Sequence, residues 1–158
     1  MKNIDMSKSS KEKNDGAIDI LLNNFLKNID IYTYIEGILS KNETISDTIK
    51  ILKYDNGSTK YEVPFVNSKV NGTTYVYYES GKLKSETFYV ESKREGILKH
   101  YYESGELEYN GLYVNDKMEG IVKGYYKSGK LKSETFYTEG EEGISRGYYE
   151  DGELTIWI

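Results

Sequence analysis

From Lys53 onward the chain alternates short runs of Tyr, Val, Ile, Thr and Phe with charged, glycine-bearing breaks. The alternation within each run has the two-residue period of strands with one covered face, and the breaks carry turn residues. Aligned on their Tyr-Tyr pairs, the runs repeat: YYESGKLKSETFYVESKREGILKH from Tyr77, YYESGELEYNGLYVNDKMEGIVKG from Tyr101, YYKSGKLKSETFYTEGEEGISRG from Tyr125, and a half-unit YYEDGELTIWI from Tyr148. A worn first copy starts at Lys53. Gly57, Gly81, Gly105, Gly129 and Gly152 are spaced 24, 24, 24 and 23 residues apart, and Gly72, Gly96, Gly120 and Gly143 are spaced 24, 24 and 23. Two independent glycine series with one period define an internal repeat.

Each unit predicts two antiparallel strands. The dipeptides Asn56-Gly57, Ser80-Gly81, Ser104-Gly105, Ser128-Gly129 and Asp151-Gly152 read as tight hairpin turns with glycine at positive φ. The second break, as in Glu91–Gly96 or Asn115–Gly120, reads as a longer charged loop. With Ser104-Gly105 as a two-residue turn, Glu103 pairs with Glu106, Tyr102 with Leu107 and His100 with Tyr109. One face then carries Leu98, His100, Tyr102, Leu107, Tyr109, Gly111 and Tyr113, uncharged apart from His100, with Thr74, Val76, Tyr78, Leu83, Ser85, Thr87 and Tyr89 as counterparts, then Val122, Gly124, Tyr126, Leu131, Ser133, Thr135 and Tyr137. The other carries Lys99, Tyr101, Glu103, Glu106, Glu108 and Leu112, with Lys123, Lys130, Lys132 and Glu134 in the next unit. The fold class is mainly β with a small α segment: an elongated single-layer antiparallel meander of tandem hairpins.

Ahead of the array the period changes. Ile18, Leu21, Leu22, Phe25, Leu26 and Ile29 recur at helical spacing behind Asp15 as N-cap, and Ile31, Tyr34, Ile35, Ile38 and Leu39 form a second set out of phase with the first. The expected division is a disordered polar tail over residues 1–14, a helical segment over 15–47 that caps the first hairpins, and the array over 48–158, with units near 53–76, 77–100, 101–124, 125–147 and 148–158. A dimerisation helix is the alternative for the second part.

Composition changes this picture in two ways. Hydrophobic residues are 37% of the chain, too few for a thick core, but 17 Tyr can order a thin sheet because a phenol ring covers much area at little rotamer cost. The formal net charge of −5 argues against nucleic acid and anionic membranes as partners. No Cys is present, so no disulfide, thiol nucleophile or Cys-held metal can form. Lys2 is followed by polar residues rather than an apolar leader core, and the expected location is cytoplasmic.

Chemistry is sparse. The single His, His100, is replaced at the equivalent positions by Val76, Gly124 and Gly147. Serines sit in turns without a neighbouring base, and glycines join strand to strand rather than strand to helix. No catalytic residue, metal ligand or cofactor is assigned. Binding falls instead to the aromatic columns, with Tyr78, Tyr102, Tyr109, Tyr113, Tyr126, Tyr137, Tyr149 and His100 as the expected partner-contact set.

The unit YYxSGxLKxExxYxxxxxxG, carried by Tyr77 to Glu86 with Tyr89 and Gly96 and again from Tyr101 and Tyr125, resembles the bacterial variant of the MORN repeat. It covers about residues 53–158. Such arrays are similar to those of the YwqK family of toxin–antitoxin components. The resemblance implies a non-enzymatic protein that neutralises a cognate toxin by direct binding. The alternative it implies is a scaffold that contacts phospholipid or organises a complex. The first copy departs from the pattern, with Pro64 where later copies have Phe88, Leu112 and Phe136.

Overall fold

The computed structural model describes residues 29–39 and 47–157. The chain divides into two compact units, Met1–Ser40 and Lys41–Ile158. In the first, α1 spans Ile29–Leu39. Ile31 and Ile35, one helical turn apart, are buried while Thr33, Glu36 and Gly37 are exposed. The second apolar set of the sequence therefore lies on a helix. The first set, up to Asn28, and the polar tail lie outside the described residues.

The second unit is one antiparallel sheet. Its strands are β1 (Thr48–Lys53), β2 (Thr59–Val66), β3 (Lys69–Val70), β4 (Gly72–Tyr77), β5 (Leu83–Val90), β6 (Lys93–Arg94), β7 (Gly96–Tyr101), β8 (Leu107–Val114), β9 (Lys117–Tyr125), β10 (Leu131–Thr138), β11 (Glu141–Tyr148) and β12 (Leu154–Trp157). The order is β1-β2-β4-β5-β7-β8-β9-β10-β11-β12, with the two-residue β3 on β2 and β6 on β5. It is a single-layer meander, as the repeat predicts.

The two kinds of turn exchange the roles expected of them. At the Ser-Gly turns the Tyr102 amide donates to the Glu106 carbonyl and the Gly105 amide to the Tyr102 carbonyl, both at 2.8 Å. The loop therefore has three residues and ends in a glycine bulge, with Gly105 at φ +110°. His100 does pair with Tyr109, but Leu107 pairs with Tyr101 and the register shifts between them. Tyr102 thus stands opposite Glu106, not Leu107. The long charged loops instead hold two-residue turns. Asn67-Ser68, Glu91-Ser92, Asn115-Asp116 and Glu139-Gly140 all have positive φ at both positions, the type I′ geometry that matches strand twist.

A bulge follows each type I′ turn. Tyr89 pairs with Arg94 and then Ser85 with His100, so the later strand advances six residues against four. Gly72, Gly96 and Gly120 hold these bulges at positive φ. In the last full unit Tyr137 pairs with Glu142 and Thr135 with Ser145, three residues against two. The shortened bulge accounts for the 23-residue spacing, and Gly143 has no positive φ there.

The expected uncharged face is the core. Tyr61, Val63 and Phe65 of β2 are buried, as are Thr74 and Val76, Ser85, Thr87 and Tyr89, Leu98 and His100, Tyr109 and Tyr113, Val122, and Thr135. Close packing along this face requires small residues beside large ones. A Cβ added to Gly111 would lie 2.9 Å from Val122 Cγ2, and one added to Gly124 would lie 2.6 Å from Ser133 Oγ. Gly111→Ala is expected to lower unfolding free energy by about 1–3 kcal/mol through overpacking against a stiff β-branched side chain. Val122→Ala in the same chain should restore part of that loss. Urea denaturation of the four chains of this cycle measures it, and strictly additive costs would exclude the contact as the cause.

Candidate interaction surface

Three sets of bonds couple each hairpin to the next. Along the glycine-bulge turns, one tyrosine per unit donates its hydroxyl to a backbone carbonyl of the following unit: Tyr54 to Tyr77 at 2.8 Å, Tyr78 to Tyr101 at 2.6 Å, Tyr102 to Tyr125 at 2.7 Å and Tyr126 to Tyr148 at 2.8 Å. The acceptors are the first members of the Tyr-Tyr pairs. The hydroxyls of three of them turn to the opposite face, where Tyr77 donates to Glu62, Tyr101 to Glu86 and Tyr148 to Glu134 at 2.9–3.2 Å. The Tyr-Tyr dipeptide therefore supplies one bond on each side of the sheet, because adjacent strand residues point to opposite faces.

Along the type I′ turns, backbone amides stack from unit to unit. Ser92 donates to the Val70 carbonyl at 2.8 Å, Asp116 to Arg94 at 3.1 Å and Gly140 to Met118 at 3.0 Å. Carboxylates one unit earlier cap the turns: Asp47 accepts from the Asn67 amide, Glu95 from Asn115 and Glu119 from Glu139. Arg94 binds Asp116 through Nε at 3.0 Å while its guanidinium lies 4.2 Å over the Tyr113 ring. Lys69–Glu91 and Lys117–Glu139 pairs repeat the same step at exposed positions.

The residues expected to contact a partner are spread unevenly over this frame. His100, Tyr109 and Tyr113 are at most 5% exposed. His100 stacks on Tyr109 with ring centroids 4.8 Å apart, and its Nδ1 lies 2.8 Å from Glu108 Oε2. Tyr78, Tyr102 and Tyr126 are half-buried with their hydroxyls given to the next unit, Tyr137 is half-buried, and Tyr149 is exposed. The face is also less free of charge than the sequence implies. The bulge brings Glu108 onto His100, and sets the Lys84 ammonium 5.6 Å from the Tyr78 ring and Lys132 5.5 Å from Tyr126.

The opposite face is not uniformly polar. Its central row, Glu62, Tyr75, Glu86, Lys99, Asn110, Lys123, Glu134 and Arg146, is continuous across the strands. Charges in it are compensated within the row: Lys99 binds Glu86 at 2.9 Å and Lys123 lies 3.5 Å from Glu134. The Lys99 ammonium, with help from the Tyr101 hydroxyl, holds Glu86 below the usual carboxylate range. Beside this row, toward the type I′ turns, stand Phe88, Ile97, Leu112, Ile121, Phe136 and Ile144, all 40–59% exposed. Ile97 pairs with Leu112 and Ile121 with Phe136. Six neighbouring strands along the path from β5 to β11 each contribute one of these side chains. Val90 and Val114 flank them, also exposed. Scattered apolar residues on a surface need no explanation, whereas an aligned row is a candidate contact surface. In the sequence these positions fall three before each type I′ turn (Phe88, Leu112, Phe136) or one after each bulge glycine (Ile97, Ile121, Ile144). The charges interleaved with them conceal the row.

Residues 70–91, 94–115 and 118–139 match the family described as MORN repeat variant. The three matched segments follow one another along the array. Their starts are 24 residues apart, and each begins just after one type I′ turn and ends on the next. No curated protein matches the chain. Among solved structures, one titled "Crystal structure of GtfA/B complex bound to UDP and GlcNAc" is similar over 73% of this chain at 11% identity and a TM-score of 0.28, and the match spans 25% of that chain.

The Tyr hydroxyls give the array a defined alkaline limit. Burial, reinforced by Glu108 and Glu103, pushes Tyr78 up to about 12, and burial with Glu142 beside it pushes Tyr137 up to about 12. Both ordinary values are 10, so the fold favours the neutral phenol; the resulting stability is complete below pH 10 and is lost between pH 10 and 12. Unfolding free energy is expected to fall across that window, and Tyr78→Phe should make the fall shallower. An equally steep fall in Tyr78→Phe would remove this hydroxyl from the account.

Proposed function

We propose that the array is a non-enzymatic protein-binding module, and that the apolar row from Phe88 to Ile144 is its contact face. The observation that carries this reading is the alignment of six exposed apolar side chains on neighbouring strands beside a row whose charges are already paired. Such a face offers a protein partner area that can be desolvated without stranding a charge. The buried face offers little, since its tyrosines are engaged in holding the units together.

Neutralisation of a toxin by occlusion is the specific form of this activity. It draws on the MORN-type repeat and its likeness to antitoxin arrays, and on the net charge of −5, which favours encounter with a basic partner. A lipid scaffold is the less supported form, because Lys99 and Lys123 on this face are paired with glutamates rather than collected into a basic patch.

Phe88→Lys and Ile121→Lys are expected to leave stability within about 0.5 kcal/mol of wild type, since both sites are exposed. Each should weaken partner binding by at least about tenfold, the scale of a buried contact residue. The partner isolated with the wild-type chain should arrest growth when expressed alone, and co-expression of the wild-type chain, but not of either variant, should relieve the arrest. Relief by both variants would rule out the row as the contact face, and a harmless partner would rule out toxin neutralisation.

A further inference from the structure

The two outer strands of the sheet, among the described residues, are β1 and β12. Moved by the 24-residue period, Thr48–Lys53 of β1 falls on Gly72–Tyr77 of β4, and so on β7, β9 and β11. Leu154, which opens β12, falls on Leu83, Leu107 and Leu131, which open β5, β8 and β10. At every inner junction between units a strand of the second kind is followed, antiparallel, by one of the first: β2 by β4, β5 by β7, β8 by β9, β10 by β11. The outer side of β12 therefore has the form that receives a strand of the β1 kind, and the outer side of β1 has the form that such a strand presents.

We infer that β12 of one copy takes β1 of a second copy as its next strand, so that the protein associates head to tail. The inner register, Ser85 opposite His100 and Glu86 opposite Lys99, carries over to Ile156 opposite Leu52 and Trp157 opposite Ile51. Ten strands lie on the path with alternating direction, so β1 arrives antiparallel to β12, as at the inner junctions.

A second observation fits the same docking. Tyr149 occupies the column of Tyr54, Tyr78, Tyr102 and Tyr126, whose hydroxyls all donate to the following unit. Tyr149 is 53% exposed. Its equivalent acceptor in a docked copy is the Lys53 carbonyl, which holds the place of Tyr77, Tyr101, Tyr125 and Tyr148. Charge favours this pairing over its alternatives. Strand β1 carries Lys50 and Lys53 and no acid, while the turn beside β12 carries Glu150, Asp151 and Glu153. Two β1 edges would repel each other, whereas β1 meets the acidic turn. Unlike surfaces joined in this way give open assemblies rather than closed dimers.

This goes beyond the binding reading, since the edges are distinct from the apolar row on the face. Sedimentation velocity of the full chain over a wide concentration range tests it. The weight-average mass should rise past that of a dimer without a plateau, and more at low salt. Tyr149→Phe should weaken association about 2–10-fold, the range for one hydrogen bond. Ile51→Lys, at an exposed edge site, and Lys53→Glu should each suppress association, with circular dichroism confirming the fold. Ile144→Lys, equally exposed but on an inner strand, should not. A constant monomer mass, a closed dimer, or equal loss in Ile144→Lys and Ile51→Lys would overturn the proposal.

Discussion

Everything in this sheet depends on how one hairpin is fastened to the next. A single layer has no second sheet to bury its side chains against, and an isolated hairpin is marginal in water. The tyrosine hydroxyls answer this need by reaching across the unit boundary to the carbonyl of the residue just before the neighbouring turn. Each bond is a modest gain, about 0.5–1.5 kcal/mol. Its larger effect is to keep a half-buried ring at the unit boundary, so that burial and bonding reinforce one another in the same place. At the other ends of the strands, turn amides and capping carboxylates repeat the device.

The period, the strand order and the covered face were legible because each follows from spacing and polarity alone. The turn types were not. Asn56-Gly57 has the dipeptide of a two-residue type I′ turn, yet its glycine closes a three-residue loop, at φ +86°. The true type I′ turns contain Glu91-Ser92 and Asn115-Asp116, residues that enter the left-handed region only with support. That support comes from the neighbouring unit, through Val70 and Ser92 or Arg94 and Asp116, and a local reading of the chain cannot contain it. The three-residue loops end in bulges of their own, and these move Glu108 and Lys132 to the tyrosine side. The residue absent from the last full unit is the equivalent of Glu119, which in its own unit caps the turn that follows.

The same displacement changes where binding is sought. Tyrosine columns in a sequence suggest an aromatic surface, and here Tyr78, Tyr102 and Tyr126 of those columns fasten one unit to the next. The apolar row that does face solvent is spaced among Lys and Glu, and it emerges only when pairing shows those charges neutralising one another across strands. The resulting division is between a face that builds the array and a face that leaves an aligned apolar row exposed. Repetition makes both possible, because a bond or an exposed side chain placed once per unit becomes a ladder or a stripe.

The fastening role of the hydroxyls is tested most directly by replacing Tyr78, Tyr102 and Tyr126 with Phe, singly and together, and following urea unfolding. Each single change should cost about 0.5–1.5 kcal/mol with the cooperativity of unfolding retained. The triple change should cost more than any one and broaden the transition as the units come apart. A triple variant with wild-type midpoint and slope would contradict the account.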